Sequence, residues 1–333
     1  MSVMDDAGLA VLSLTNRLVD VGVAPLRASE LWRLLDDVDD PARLVGRSAA
    51  ELAHELDGSA AARERIATLL DSGVALAVRL HALLEQGIWT VTPFDPSYPS
   101  VLRERLGRAA PPVLYGAGEA SLLGELEVGK RGIGIVGSRD VSDEGAEVAR
   151  SAARGAADRG MSVVSGGARG VDQLAMAEAE AQGGTAVGVL ADSLERAIAS
   201  AESRRTLLQG SACLCTPYRP DTRFTVGNAM GRNKVVYALS RATLVVATAD
   251  GSGGTWAGAK EAIDRRFGSV AVWRGAGEGP GNAALERAGA VPLSTVDDLF
   301  GIEPVTDAAA TGSTALQLSL LGTDAAETPT TER

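Results

Sequence analysis

The sequence predicts an α/β protein with a doubly wound, mainly parallel sheet, preceded by a small all-helical module. Three observations predict this class. Leucines at helical spacing recur through the first 90 residues. From Arg131 onward, short apolar runs alternate with helical segments, a pattern typical of a parallel sheet with helices on both faces. The length of 333 residues is about twice that of a typical domain.

The division of the chain follows changes in composition. Residues 1–90 are predicted to form the helical module, punctuated by Pro25, Pro41, Gly58 and Gly73. Residues 91–302 are predicted to form the sheet domain, with a proline-rich, extended lead-in over residues 91–130. Residues 303–333 contain Ala, Thr, Ser and acidic residues without aromatics, which predicts a disordered acidic tail.

Within the sheet domain, apolar runs predict strands and the segments between them predict helices. The strands are Ile133–Val136, Ser162–Val164, Ala186–Leu190, Ala212–Cys215, Leu244–Ala247 and Val270–Trp273. The helices are Glu144–Asp158, Gln173–Ala181, Leu194–Glu202, Gly227–Leu239 and Trp256–Arg265. A last helical patch is predicted around Val291, formed by Asn282–Arg287 and Thr295–Phe300.

Composition excludes several classes of protein. No apolar run reaches the roughly 18 residues that span a bilayer. Asp5 and Asp6 stand where a secretory signal carries basic residues, so a cytoplasmic protein is expected. Two cysteines, Cys213 and Cys215, cannot build a disulfide framework or a four-thiolate zinc site, and they are predicted to be buried on one face of a strand. No metal or other cofactor is predicted.

The net charge is −11, but the charges are unevenly distributed. Residues 1–92 contain 8 basic and 14 acidic side chains, and residues 278–333 contain 2 basic and 9 acidic ones. Residues 204–241 contain seven cations and one acid, Asp221. A concentrated basic segment in an acidic protein indicates that an anionic ligand binds at that segment.

Four loops that follow predicted strands carry glycine, hydroxyl and guanidinium groups. Ligands of parallel sheets bind at the carboxyl ends of the strands, and glycines let backbone amides approach an anion. The loops therefore predict binding of phosphate or of a phosphate-bearing polymer, although tight turns alone would also need glycine. Phe224 or Trp256 is a candidate for stacking on a base. The candidate residues are Gly137, Ser138 and Arg139; Ser165, Gly166, Gly167, Arg169, Gly170 and Asp172; Arg219, Arg223, Phe224, Arg232, Asn233 and Lys234; and Ser252, Gly253, Gly254 and Thr255.

Other chemistries lack support in the sequence. The GxGxxG run at Gly132–Gly137 lies inside a strand rather than at the start of a helix, which disfavours a dinucleotide site. No GxxxxGK[ST] motif occurs. Both histidines, His54 and His81, belong to the helical module and not to the sheet, so no histidine-based catalytic site is predicted there. Asp172 is expected to cap a helix or to orient Arg169.

The order of several motifs resembles that of the DprA/Smf DNA-processing family. The motifs are Tyr98-Pro99, Pro111-Pro112-Val113-Leu114-Tyr115, Val136-Gly137-Ser138-Arg139, the loop Ser165–Asp172, Gly231-Arg232-Asn233-Lys234 and Ser252-Gly253-Gly254-Thr255. The resemblance covers about Leu9 to Phe300. Met176, Cys215 and Thr216 differ from the residues usual in the family, which indicates a divergent member.

The resemblance implies a Rossmann-like domain behind a helical module of the SAM or helix-hairpin-helix type. It also implies a homodimeric, non-enzymatic protein that binds single-stranded DNA without sequence preference and delivers it to a RecA-type recombinase. The family's DNA pocket falls on Arg139, Ser165, Gly166, Arg169, Gly170 and the stretch with Phe224, Arg232, Asn233 and Lys234. We expect Arg139, Arg169 and Arg232 to neutralise successive phosphates, while the amides of Gly166–Gly170 and Gly253–Thr255 bind one of them.

Two other functions remain open for the same pocket. LOG-type phosphoribohydrolases, which share the Rossmann-like superfamily, carry a PGGxGTxxE motif. Ser252-Gly253-Gly254-Thr255 is similar to the start of this motif. The residues that follow do not supply the second Gly-Thr, and no glutamate stands at the position that the motif requires. The pocket of a nucleotide or signal-molecule sensor would use the same phosphate contacts.

The tail contains one apolar cluster after Pro304, formed by Gln317, Leu318, Ser319, Leu320 and Leu321. It is similar to the peptide by which bacterial proteins dock on the DNA-polymerase sliding clamp. An extended peptide that fills a hydrophobic groove suits a disordered tail. A short helix that packs on its own domain is the alternative.

Overall fold

The computed structural model describes residues 4–15, 17–124 and 132–304. Two sequence predictions fall partly outside these ranges. Of the predicted tail, residues 305–333 lie outside them, including the peptide Gln317–Leu321. Residues 125–130, at the end of the predicted lead-in, also lie outside them.

The N-terminal part is helical, as the sequence predicts. It contains α1 (Asp6–Thr15), α2 (Ala28–Asp37), α3 (Ala60–Leu70) and α4 (Gly73–Glu85), with 3₁₀ turns at Pro41–Leu44 and Glu51–His54. None of the described helices alone has the length and apolar composition to cross a membrane; α3 and α4, at 46° to each other, meet that criterion only as a pair.

The remaining described residues alternate between strands and helices. The strands are β1 (Trp89–Val91), β2 (Leu114–Gly118), β3 (Ile133–Val136), β4 (Val163–Ser165), β5 (Ala186–Val189), β6 (Ala212–Thr216), β7 (Ala242–Val245), β8 (Ser269–Trp273) and β9 (Val291–Leu293). The helices are α5 (Ser100–Leu106), α6 (Asp143–Asp158), α7 (Val171–Ala181), α8 (Leu194–Ile198), α9 (Ala201–Leu208), α10 (Val226–Leu239), α11 (Gly253–Arg265) and α12 (Asn282–Arg287), with 3₁₀ turns at Gly107–Ala109, Ala120–Leu123 and Asp297–Gly301.

All the described strands belong to one sheet in the order β1-β2-β6-β5-β4-β3-β7-β8-β9. The pairs β1–β2 and β2–β6 are antiparallel, and the other pairs are parallel. Each face of the parallel part carries its own apolar core. Ile133, Ile135 and Leu244 pack with α6 and α7 on one face, whereas Val187, Cys213, Cys215 and Val270 pack with α10 and α11 on the other. The predicted doubly wound α/β class is therefore confirmed.

Three element predictions were wrong in part. The lead-in is not simply extended, because it contains the helix α5 and two 3₁₀ turns. In addition, β1 and β2 add two antiparallel strands to the sheet edge. The predicted helix Leu194–Glu202 is two helices, since the Ser200 hydroxyl accepts a hydrogen bond from the Ser203 amide at 3.0 Å and starts a new one. The predicted helix Asn282–Arg287 is confirmed as α12, and a 3₁₀ turn at Asp297–Gly301 overlaps the second predicted segment, but Val291 between them lies in β9, which pairs with β8.

The helical part packs directly on the sheet. Leu12, Leu76 and Leu83 share one apolar cluster with Tyr115 of β2 and Leu214 of β6. The indole Nε1 of Trp32 donates a buried hydrogen bond to the carbonyl of Ala110 at 2.8 Å. These contacts fix the segment between α1 and α2 beside the sheet.

Candidate functional site

The candidate site lies at the topological switch point of the sheet. From β3 the chain proceeds through β4 and β5 to one side, whereas from β7 it proceeds through β8 to the other. Helix α6 covers one face and α11 the opposite face. This arrangement opens a crevice at the carboxyl ends of β3, β4 and β7, which is where doubly wound sheets bind ligands.

Direct contacts join the loops at this edge. The Thr255 hydroxyl donates to the carbonyl of Gly137 at 2.9 Å, which links the loop after β7 to the loop after β3. The Val171 amide donates to the carbonyl of Ser138 at 3.2 Å, which links the loop after β4 to the same place. The Asn233 side-chain amide of α10 donates to the Gly254 carbonyl at 3.0 Å. Residues that are more than 100 positions apart in the chain therefore form one groove.

Glycine at two positions permits this close approach. Gly170 has φ +87°, and a Cβ there would overlap the carbonyls of Ser138 and Arg139. A Cβ on Gly166 would overlap the guanidinium group of Arg232, so only glycine lets that side chain lie under the loop. At Gly254, by contrast, a Cβ would meet nothing within 4 Å, so the backbone there faces open space.

The floor of the groove is formed by Arg232 and Asp172. Arg232 is 6% exposed, and its Nε is buried without a hydrogen-bond partner among the described residues. Burial lowers the pKa of Arg232, an effect that the nearby charge of Asp172 opposes. Burial also raises the pKa of Asp172 to about 6, with Arg232 and backbone amides acting in the opposite direction. The two charges are thus held together away from solvent.

The Asp172 carboxylate accepts hydrogen bonds from backbone amides that the sequence analysis expected to bind phosphate. Its Oδ2 accepts hydrogen bonds from the amides of Gly166, at 3.1 Å, and Ala168, at 3.4 Å. Those two amides are therefore not free, and the expectation that all of Gly166–Gly170 binds an anion was wrong. The amides of Gly167, Arg169 and Gly170 donate to no described residue.

Helix α11 presents a second group of amides to the groove. The amides of Gly253, Gly254 and Thr255 form its first turn, where no carbonyl of the helix can accept them. Ser252 precedes the helix and makes no side-chain cap hydrogen bond. The start of the helix therefore faces the crevice with amides that donate to no described residue and with its positive dipole end.

The outer wall carries exposed cations. The Arg139 guanidinium lies over the ring of Phe224, 5.8 Å from its centroid, and Phe224 is 49% exposed. Arg169, with a side chain 71% exposed, pairs with Asp140 at 2.6 Å. The expectation that Asp172 orients Arg169 was wrong, because Asp172 lies inside the loop and Asp140 takes that role. Trp256, the other stacking candidate, packs against the core of the sheet.

Several predicted residues have structural roles instead. The hydroxyl of Ser165 is buried and donates to the Ile135 carbonyl at 2.6 Å. The hydroxyl of Ser138 bonds to the backbone of Asp140 and so shapes the loop after β3. Arg223 is exposed, and its carbonyl accepts from Asn228.

Two predicted cations lie outside the groove. Arg219 and Lys234 line an adjoining cleft against the helical part of the chain. The sequence analysis assigned them to the groove because they belong to the same basic segment as Arg232. Lys234 lies two residues after Arg232 in α10, however, and so projects from a different side of the helix.

Sequence reasoning missed two polar residues near the groove. Asp140 pairs with Arg169, and its position directly after Arg139 was the available signal. Tyr218 places its hydroxyl against Gly231 and 2.9 Å from the carbonyl of Asn228. Nothing in the local sequence pattern distinguishes that tyrosine from a core residue.

The fold and this edge define a Rossmann-like α/β protein with a cationic, glycine-lined groove at its switch point. The family model described as DNA recombination-mediator protein A matches residues 89–302. The chain therefore belongs to this family, the DprA/Smf DNA-processing proteins, and the resemblance found in the sequence is confirmed.

Comparisons with individual proteins agree with the family. A DprA relative of Mycobacterium tuberculosis is 34% identical over 179 residues, 50% of this chain and 45% of that protein. The chain thus matches about half the length of this curated relative. The structure of DprA from Streptococcus pneumoniae is similar in fold, with a TM-score of 0.59 and 19% identity over 84% of this chain and 99% of that one. The DprA structure from Helicobacter pylori, solved to study its single-stranded DNA binding mode, has a TM-score of 0.51 and 22% identity over 64% of this chain and 94% of that one.

Proposed function

We propose that this chain binds single-stranded DNA without sequence preference along the groove at the switch point. The observation that carries the proposal is Arg139 lying over the exposed ring of Phe224, beside Arg169 and the unbonded amides. Proteins that bind single strands without sequence preference combine a cationic groove with aromatic stacking surfaces. The single-stranded DNA binding of the Helicobacter pylori relative supports this ligand.

The groove suits binding rather than catalysis. Of its carboxylates, Asp172 accepts backbone amides and Asp140 pairs with Arg169, so both already have partners. Both histidines of the chain, His54 and His81, lie in the helical part and not in the groove. We therefore assign the groove no reaction.

A titration with oligo-dT and with thymidine mononucleotide at two salt concentrations tests the ligand. A single strand that contacts several phosphates loses affinity with a log–log slope of about −0.7 per contact. We expect a steep slope with oligo-dT and weak binding of the mononucleotide. Tight mononucleotide binding with a shallow slope would instead identify a nucleotide sensor or a LOG-like nucleotide-binding site.

A matched pair of arginine variants locates the binding. Arg159 follows the C-terminal end of α6, a 16-residue helix that begins beside the groove, and stacks on Phe300 at 4.1 Å, so it provides the same type of contact elsewhere. We expect Arg139→Ala to weaken oligo-dT binding roughly tenfold, since hydrogen bonds to charged groups contribute about 1.5–3 kcal/mol. Arg159→Ala should bind as the wild type does. Equal affinities of the two variants would contradict the proposed groove.

We also propose that the protein acts as a homodimer that transfers the strand to a RecA-type recombinase. The description of its family as a recombination mediator supports this role. The test is the lag before RecA hydrolyses ATP on single strands coated with a single-strand-binding protein. The wild type should shorten this lag, whereas Arg139→Ala should not. Sedimentation measurements check the dimer.

The segment Gln317–Leu321 remains a proposed contact with the polymerase sliding clamp. The test compares recovery of purified clamp by the wild type and by the variant Gln317→Ala/Leu320→Ala. We expect the variant to recover less clamp. Equal recovery would end the proposal.

A further inference from the structure

A second cationic cleft lies between the helical part and the sheet, with a volume of about 980 Å³. Residues 17–28, which connect α1 to α2, form one wall. Residues 217–222 and the part of α10 from Asn228 to Val235 form another wall, and residues 109–113 contribute to the lining. The cleft is thus built from three segments that the sequence analysis did not connect.

The charge of this lining is opposite to that of the whole protein. It contains four cations, Arg17, Arg27, Arg219 and Lys234, and one acid, Asp20. Arg27 pairs with Glu30, and Arg219 with Asp221. Among the described residues, neither Arg17 nor Lys234 forms an ion pair. A cationic cleft in a protein of net charge −11 therefore selects for an anionic occupant.

Lys234 shows the clearest need for such an occupant. Its ammonium group is partly buried, and burial lowers its pKa. The charge of Glu261 opposes this shift by electrostatic attraction, without an ion pair to Lys234. Holding an ammonium group away from water without a contacting carboxylate costs free energy. A phosphate within reach of Lys234 would recover that cost.

The cleft adjoins the switch-point groove through shared segments of the chain. Gly231 lines the cleft and directly precedes Arg232, which forms the floor of the groove. Tyr218 also lines the cleft, and its hydroxyl lies against Gly231. Its electrostatic interaction with Arg232 raises the pKa of that guanidinium group. In the loop between β6 and α10, Thr222 lines the cleft, while Phe224, two residues later, lies under Arg139. One short loop and one helix segment therefore border both sites.

We propose that single-stranded DNA continues from the groove into this cleft, so that the helical module forms a second wall of the DNA-binding surface. Arg17, Arg27 and Lys234 then contact phosphates beyond those held by Arg139 and Arg169. Apolar residues of the same lining, Val21, Val23 and Pro112, suit the faces of unpaired bases. The inference rests on the proposed function, because it extends the path of the same strand.

The test compares two double variants of the full chain with two lengths of oligo-dT. Arg17→Ala/Arg27→Ala removes both module cations from the cleft. Arg33→Ala/Arg47→Ala removes the same charge from the same module at positions that do not line it. Oligonucleotides of about 5 nucleotides fill the groove alone, and those of about 20 nucleotides also reach the cleft. Circular dichroism confirms that each variant is folded.

We expect the cleft variant to bind the long oligonucleotide at least fivefold more weakly, with a salt slope shallower by about 1.4, that is about 0.7 for each lost phosphate contact. Its affinity for the short oligonucleotide should equal that of the wild type, and the control variant should match the wild type with both lengths. Unchanged binding of the long oligonucleotide, or equal losses with both lengths or both variants, would overturn the inference while leaving the groove intact. Failure of the wild type to bind any oligo-dT would overturn the proposed function itself.

Discussion

The guanidinium group of Arg232 lies against the Cα of Gly166, beneath the loop that follows β4. Arg232 belongs to α10, which packs on the opposite face of the sheet from α7, the helix that this loop starts. The contact thus ties two faces of the sheet together at the switch point. Because Nε of Arg232 has no partner among the described residues, its charge is only partly balanced by Asp172, and this favours an anion in the groove above.

Gly166→Ala should disrupt this contact. The new Cβ would overlap Nη1 and Cζ of Arg232, so the side chain or the loop must move. Overpacking of a buried site costs about 1–3 kcal/mol, and we expect that loss in the free energy of unfolding measured with denaturant. Binding of oligo-dT should weaken at the same time.

Two further variants isolate the cause. Gly254→Ala is the control, because a Cβ there meets nothing within 4 Å and should leave stability unchanged. In a double-mutant cycle, Gly166→Ala should cost less in an Arg232→Ala background than in the wild type, since the clash is gone. Additive costs would show that Arg232 is not the obstacle.

Asp172 gives a prediction for pH. Its pKa in the folded state, about 6, lies above the usual value, so between about pH 4 and pH 6 the folded state binds more protons than the unfolded state. Stability from this group is therefore greatest below about pH 4 and is lost as the pH rises through 6. Relative to Asp172→Asn, the wild type should lose about 3 kcal/mol of unfolding free energy across this window. A pH-independent difference between the two proteins would contradict the assignment.

The sequence predicted the parallel sheet well because its strands, such as Ile133–Val136, are short apolar runs between clear helical patterns. It missed β1 and β2 because three- and five-residue strands beside prolines carry little periodicity, and their pairing with β6 is a long-range property. The loops were identified from composition, since glycine, serine and arginine after a strand are visible locally. The sequence could not show which cations line the groove and which line the cleft. That division depends on how α10, with Lys234, and the loop before it, with Arg219, pack in the folded protein.

The ion pair between Arg169 and Asp140 gives a pair of opposite variants. Arg169→Glu replaces an exposed cation at the groove with an anion, so binding of oligo-dT should weaken at least tenfold, or about 1.4 kcal/mol. Asp140→Asn removes the carboxylate that competes with phosphate for Arg169, so binding should strengthen severalfold at low salt. Both side chains are exposed, so stability should change little. Unchanged affinity in a folded Arg169→Glu protein would remove this residue from the site.

Phe224 gives the most direct test of base stacking. Phe224 is 49% exposed, with Arg139 over its ring, an arrangement that is open to a base. Stacking of a base on an aromatic side chain contributes about 1–3 kcal/mol, so Phe224→Ala should weaken oligo-dT binding by roughly 5- to 150-fold. Val226→Ala is the control, because Val226 is a more exposed apolar residue two positions later without an arginine over it.

A tryptophan at the same position separates stacking from simple loss of apolar surface. Phe224→Trp offers a larger ring, so it should bind at least as tightly as the wild type, and a stacked base should quench its fluorescence on titration with oligo-dT. An abasic oligonucleotide of the same length keeps the phosphates but has no bases to stack. It should bind Phe224→Ala and the wild type equally, because only the phosphate contacts of Arg139 and Arg169 remain. A loss of affinity for the abasic strand in Phe224→Ala would show instead that the ring acts by holding Arg139 in place.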